Sequence, residues 1–248
     1  AIIAMLACSS MGIIWSSCSP DFGLEGVVER FGQINPKLLI SCDGYFYNGK
    51  EINTIQVTKK IVSQIESIKN TLLVPFLETD SKNILKDAIC WSNLIKDKVE
   101  IKFEALPFDH PLYILYSSGT TGSPKCIVHG AGGTLLQHLK EHVLHYDINE
   151  QDRLFYFTTC GWMMWNWMVS GLSAGATLVI YDGSPFYDNG NILWDLAESE
   201  KITVFGVSAK YLSAQEKAGI KPKKNYDLSS IETVLSTGSP LAPESFDY

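Results

Sequence analysis

From Ser117 to Lys125 the chain reads SSGTTGSPK, directly after the apolar run Leu112-Tyr113-Ile114-Leu115-Tyr116. The hydroxyls of Ser117, Ser118, Thr120 and Thr121 are hydrogen-bond donors. Gly119 and Gly122 admit positive φ and let the backbone approach a ligand closely. Successive N–H groups in such turns form an anion-binding nest, and Lys125 adds a mobile point charge for a phosphate oxygen. Pro124 stiffens the exit. The combination spells an oxyanion cradle suited to a polyphosphate. A polar surface loop that binds nothing is the plainer alternative, but the terminal lysine behind an apolar strand favours the cradle. The stretch is not a Walker A loop: G-x-x-x-x-G-K-[ST] requires glycine where Pro124 stands and a hydroxyl where Cys126 stands. A nucleophilic-serine reading needs a second serine and a distal lysine in a set arrangement, which the sequence does not offer.

Short β-branched runs alternate with helical patterns around this loop. Residues 37–43, 70–77, 112–117, 153–159, 176–182, 202–208 and 231–237 read as strands; 23–34, 58–68, 132–146, 191–200 and 208–219 read as helices, the last capped by Ser208 and Gly219. The alternation predicts an α/β fold of crossover units, its mostly parallel sheets flanked by helices. The charged, proline-containing stretch around 95–110 predicts a boundary between a first α/β subdomain, 1–105, and a second, 106–248, which carries the loop.

Other residues invite chemistry and have plainer readings. His138, His142 and His145 share one helix at i, i+4 and i+7, a metal-like stripe, but on a Lys/Glu-rich helix they read as a solvated face. His129 lacks an evident carboxylate partner and reads as a structural donor at a helix start. GWMMWNWM (161–168) reads, on residue types alone, as core. STGSP (236–240) reads as a turn.

Composition narrows the function class. Hydrophobic residues make up 46% of the 248 and charged ones 19%, the balance of a globular chain with a sizeable core. A net charge of −7 with no basic stripe argues against a nucleic-acid partner. The six cysteines are never closer than ten positions, so redox or zinc CxxC spacing is absent and they read as small buried hydrophobes in a reducing, cytoplasmic compartment. The apolar opening AIIAMLACSSMGIIW falls short of the roughly 20 residues of a membrane span and reads as a buried helix.

YSSGTTGSPK resembles the phosphate-loop signature of the adenylate-forming superfamily, which includes acyl-CoA synthetases, luciferases and peptide-synthetase adenylation domains. SSCSPDFG (16–23), TTCGWMMWNWMVSGL (158–172) and STGSPLAPESFDY (236–248) resemble the acetoacetate–CoA ligase branch, and the similarity runs along essentially the whole chain. The resemblance implies part of the N-terminal domain of that fold. It implies an enzyme that activates acetoacetate with Mg2+ and ATP as acetoacetyl-AMP, releases pyrophosphate, then passes the acyl group to coenzyme A, releasing AMP. Ser117, Ser118, Gly119, Thr120, Thr121, Gly122 and the catalytic Lys125 would hold the ATP phosphates. Thr237, Gly238, Ser239 and Pro240 would lie along the adenine and the acyl carboxylate. Trp162, Met163, Met164 and Trp165 would wall the acyl pocket, with Asn166 a donor to a 3-oxo group; Trp167 and Met168 would pack.

The superfamily's Thr-Glu motif, ribose-binding Asp, hinge and lysine-bearing C-terminal domain are not found. The expectation is therefore an internal stretch of a longer enzyme, inactive by itself. Two alternatives remain: a non-catalytic nucleotide-binding remnant, and a ligase for another short acid such as acetate or propionate.

Overall fold

A computed structural model describes residues 1–77, 88–95, 99–117 and 122–248. The chain forms two compact units, Ala1–Gly132 and Gly133–Tyr248.

The first unit begins with α1 (Ile2–Ser10), β1 (Trp15–Ser16), α2 (Gly23–Ile34), β2 (Leu38–Cys42), β3 (Gly44–Tyr47) and β4 (Lys50–Asn53). It continues with α3 (Ile55–Gln64), β5 (Asn70–Val74), β6 (Ile89–Cys90), α4 (Trp91–Leu94), β7 (Pro111–Tyr116) and β8 (Cys126–Gly130). Parallel pairs order one sheet β2-β5-β6, and β7 lies between parallel β1 and antiparallel β8. Val27 and Phe31 of α2 and Ile61 of α3 bury against Leu39 of β2 with Ile65 and Ile68. Each such side chain contributes roughly 1.5–3 kcal/mol of transfer free energy.

The second unit holds α5 (Ala131–Leu139), which starts at the boundary and runs on as a π-helix over Lys140–His145. Then follow β9 (Arg153–Tyr156), α6 (Met163–Ser170), β10 (Thr177–Val179), α7 (Ile192–Ser199), β11 (Val204–Ser208), α8 (Ala209–Lys217), α9 (Pro222–Asn225) and β12 (Thr233–Thr237). The sheet runs β10-β9-β11-β12, every pair parallel. β11, read as ITVFGVS, has Val204, Phe205 and Val207 fully buried, the pattern of a parallel strand covered on both faces. On one face Trp194 of α7 stacks on Phe205 at 5.0 Å, and Phe205 on Phe155 at 5.3 Å. Ser208 caps α8 by accepting from the Tyr211 N–H at 3.1 Å, as its position predicts.

Each strand read from the sequence is present, and so is each helix, with shifted ends. Four readings need correction. Residues 126–130, not read as a strand, form β8, so His129, close to the start of α5 as read, lies on a strand with its ring 5.0 Å from that of Tyr113. The β3–β4 hairpin was missed, although Asn48 and Gly49 adopt the paired positive φ angles (50° and 75°) that such a turn demands. α1 forms, but Ile3 is 67% exposed and only Ala4 and Met5 are buried in it. The cysteines are free thiols, Cys126 exposed and the others half-buried, not core hydrophobes. Among the described residues no helix is long and apolar enough to cross a membrane.

Gly206 in β11 is buried under the Tyr156 ring, and a methyl group there would be driven into ring carbons Cδ2 and Cε2. Gly206→Ala should therefore destabilise the chain by about 1–3 kcal/mol. Urea unfolding checks this; an unchanged midpoint would show that the Tyr156 ring moves freely.

Candidate functional site

In the first unit, antiparallel β7 and β8 pair Tyr116 with Cys126, so the two ends of the hydroxyl-rich stretch are brought side by side. Its mouth is laced shut: the Ser117 N–H donates to the Lys125 carbonyl at 3.0 Å, and the Lys125 N–H donates to Ser117 Oγ at 3.2 Å. Gln33 of α2 clamps the exit, donating from Nε2 to the Pro124 carbonyl at 2.8 Å while its Oε1 accepts from the Cys126 thiol. Ser16 of β1 donates to the Ile114 carbonyl at 2.9 Å and lies 3.0 Å from the Tyr116 hydroxyl. Burial pushes the Tyr116 phenol well above its ordinary value, so it remains neutral. Gly122 sits at φ +97° and Lys125 is exposed. Ser118, Gly119, Thr120 and Thr121 lie outside the described residues.

In the second unit a cavity of about 220 Å3 opens at the carboxyl ends of the parallel strands. Glu141, His145 and Tyr146 line it from the π-helix and the residue after it, Tyr156 from β9, Met164 and Trp167 from α6, and Leu235, Ser236 and Thr237 from β12. The position follows from topology. β10 leaves β9 on one side of the sheet and β11 pairs on the other, and crevices form beyond strand ends where connections part in this way.

The polar walls are held differently. Glu141 is fixed at both oxygens, by the Trp167 indole N–H at 2.8 Å and the Gln137 amide at 2.6 Å. Thr237 Oγ1 accepts from the Gly238 N–H at 2.6 Å, and Gly238 turns the chain at φ +91°. The Tyr156 hydroxyl and Ser236 Oγ are buried without a hydrogen-bond partner. Burial, with a smaller contribution from the Tyr146 phenol, pushes Tyr156 up to about 12.

The sequence-derived candidates divide. Met164 and Thr237 meet at this cavity. Trp162 and Met163 are exposed beside it in sequence, while Trp165 and Asn166 are buried within α6. The Asn166 amide donates to the Trp162 carbonyl at 3.3 Å, leaving its Oδ1 unpaired. Gly238, Ser239 and Pro240 are exposed. Trp167, expected only to pack, is a wall. Gln33, Glu141, Tyr156 and Ser236 went unnoticed, because nothing local in the sequence marks residues joined only by folding.

Two histidines expected on a solvated face are buried instead: His138 is 2% exposed and His142 fully enclosed, while His145 is exposed. Their partner is Ser170 at the end of α6, 2.9 Å from both His138 Nδ1 and His142 Nε2. His142 Nε2 also lies 3.0 Å from the Trp167 carbonyl, which only accepts, so that nitrogen carries the hydrogen. Among the described residues no three His, Cys, Asp or Glu side chains gather as a metal site.

The sequence profile of the AMP-binding enzyme family matches residues 1–247. The chain belongs to the AMP-binding enzyme family. Within that family it is 54% identical to an acetoacetyl-coenzyme A synthetase of Rhizobium meliloti and 41% identical to a malonamoyl-CoA synthetase of Penicillium aethiopicum, each over 100% of this chain. The structure of an acetoacetyl-CoA synthetase from Streptomyces lividans superposes with a TM-score of 0.94 at 43% identity, covering 99% of this chain. The fold is therefore an α/β portion of the AMP-binding enzyme architecture. The chain spans 38% of the length of each of these relatives.

Burial lowers the His142 pKa below its ordinary value of 6.5, against weaker opposing effects of the Trp167 carbonyl and Glu141. The unfolded chain then binds a proton below about pH 6.5 that the folded chain resists, so stability falls as pH drops through that window. His142→Asn should flatten the loss between pH 7.5 and 5.5 in urea titrations. An equally steep loss in the variant would assign the effect to other groups.

Proposed function

We propose that this chain is the portion of an ATP-dependent acid–thiol ligase that activates acetoacetate as acetoacetyl-AMP and supports transfer of the acyl group to coenzyme A. The observation that supports it most is the 54% identity running over the whole chain, hairpin and tryptophan/methionine helix alike, rather than over one motif.

In this reading the carboxylate of the acid attacks the α-phosphorus of ATP and pyrophosphate leaves. Ser117, Ser118, Gly119, Thr120, Thr121, Gly122 and Lys125 hold the phosphates through backbone N–H groups, hydroxyls and one cation. Fixed donors of this kind act where negative charge builds on the leaving group, and losing one typically costs about 3–4 kcal/mol of transition-state stabilisation. Two hydrogen bonds between Ser117 and Lys125 hold the ends of the stretch together. Thr237, Gly238, Ser239 and Pro240 lie along the adenine and the acyl carboxylate. Trp162, Met163, Met164, Trp165 and Asn166 bound the acyl group. Mg2+ would accompany ATP in this reading. The free thiols and the charge of −7 fit a cytoplasmic enzyme acting on small molecules rather than nucleic acid.

A second reading keeps the chemistry and changes the acid. The malonamoyl-CoA synthetase similarity favours it, because malonamoyl and acetoacetyl groups both carry a carbonyl on the third carbon.

In the intact protein that carries this chain, Lys125→Ala should slow adenylation roughly 100-fold or more. Thioester formation from preformed adenylate should change far less. Equal effects on the two half-reactions would remove Lys125 from the phosphate role.

A further inference from the structure

Gln33 stands 91 residues before Pro124 in the chain, yet its amide is committed to the exit of the hydroxyl-rich stretch. Nε2 faces two carbonyls, that of Glu29 one helical turn back at 2.6 Å and that of Pro124 at 2.8 Å. Carbonyl oxygens only accept, so the amide sits one way round, with Oε1 turned to the Cys126 thiol, 3.6 Å from Sγ. Its nitrogen and its oxygen are therefore both engaged.

What the amide holds is the backbone at Lys125. The Pro124 carbonyl and the Lys125 N–H belong to one planar peptide unit. Gln33 binds the oxygen of that unit, and Ser117 Oγ accepts from its N–H at 3.2 Å. The next peptide unit is held as well, the Lys125 carbonyl accepting from the Ser117 N–H at 3.0 Å. Both planes that flank the Lys125 α-carbon are thus fixed, while the residue itself is exposed. The anchor is firm because α2 is firm: Val27 and Phe31 bury in the core of the first unit, Phe31 two residues before Gln33. The Arg30 guanidinium lies 4.7 Å over the Phe22 ring and 5.9 Å over that of Tyr116, which ends β7. α2 therefore reaches both sides of the stretch, Tyr116 through Arg30 and Pro124 through Gln33.

We propose that Gln33 is a positioning residue for adenylation: by holding the Pro124–Lys125 peptide it sets the backbone from which the Lys125 side chain meets the phosphates. This role rests on the ligase reading above. Without the amide that peptide has one holder fewer and turns more freely. A cation that must be ordered during the reaction stabilises the transition state less than one placed beforehand.

The test is a double-mutant cycle in the intact protein, read as acetoacetate-dependent pyrophosphate release. Gln33→Ala should lower kcat for adenylation roughly threefold to tenfold, the range that one hydrogen bond spans, and leave thioester formation from preformed adenylate nearly unchanged. In a Lys125→Ala background the further change to Gln33→Ala should cost little, because a residue that acts through Lys125 has nothing left to place. A merely structural role would multiply the two losses instead. Gln33 is exposed, so Gln33→Ala should fold. If it does not, Gln33→Glu, similar in shape but with no hydrogen for either carbonyl at neutral pH, goes through the same cycle. Losses that multiply, losses equal in the two half-reactions, or an unaltered adenylation rate would each overturn the role of Gln33 and leave the ligase reading standing. No acetoacetate-dependent release by the unaltered protein would bring down both.

Discussion

The constraint on which the second unit depends is the parallel register of β9, β11 and β12. β11 and β12 end level, Ser208 opposite Thr237, while β9 ends short of them at Tyr156, opposite Gly206, and the three carboxyl ends lie on one side of the sheet. Parallel strands buried on both faces cannot slip by one residue without turning Phe155, Phe205 and Leu235 out of the core. That side is therefore as rigid as the core behind it. Gly206 sharpens this: only a residue without a side chain leaves room for the Tyr156 ring against the neighbouring strand.

The helical wall solves a different problem. α6 has a buried stripe from Trp165 to Val169, yet its first turn must stay accessible. Ser170 anchors its far end to His138 and His142, and Trp167 anchors its middle to Glu141. Those partners come from α5 and the π-helix that extends it. A π turn widens the helix by one residue, which brings Glu141 and His145 to the cavity while His142 points inward. The same buried imidazole that orders the wall makes it sensitive to acid, because a proton there has no partner on Nδ1.

Much of the fold was legible because its strands are short apolar runs bounded by turn residues, and parallel sheets leave that mark plainly. What escaped had physical reasons. CIVHG in β8 is largely exposed and follows a proline, so neither alternation nor a buried run announces it. The histidine stripe looked solvated because its i, i+4 spacing is shared with lysine and glutamate; burial came from Ser170 and Trp167, some thirty residues away. In the site, SSGTTGSPK was readable since one continuous stretch carries all of its donors. The cavity was not, since its walls come from 141–146, 156, 164–167 and 235–237 and meet only after the sheet has formed.

The two kinds of site reflect what each is proposed to hold. A polyphosphate is strongly charged and alike on every side, so one short stretch of backbone N–H groups, hydroxyls and a lysine suffices, and a local sequence can encode it. A short acyl tail is neutral and small, and offers one oxygen by which to be told from its relatives. Discriminating it requires a pocket whose shape is set by a packed core. The walls of the second unit's cavity come from strands and helices far apart in sequence, and the one carboxylate among them is hydrogen-bonded at both oxygens. Affinity for a common nucleotide can reside in a turn, whereas choice among similar acids has to be built into the sheet.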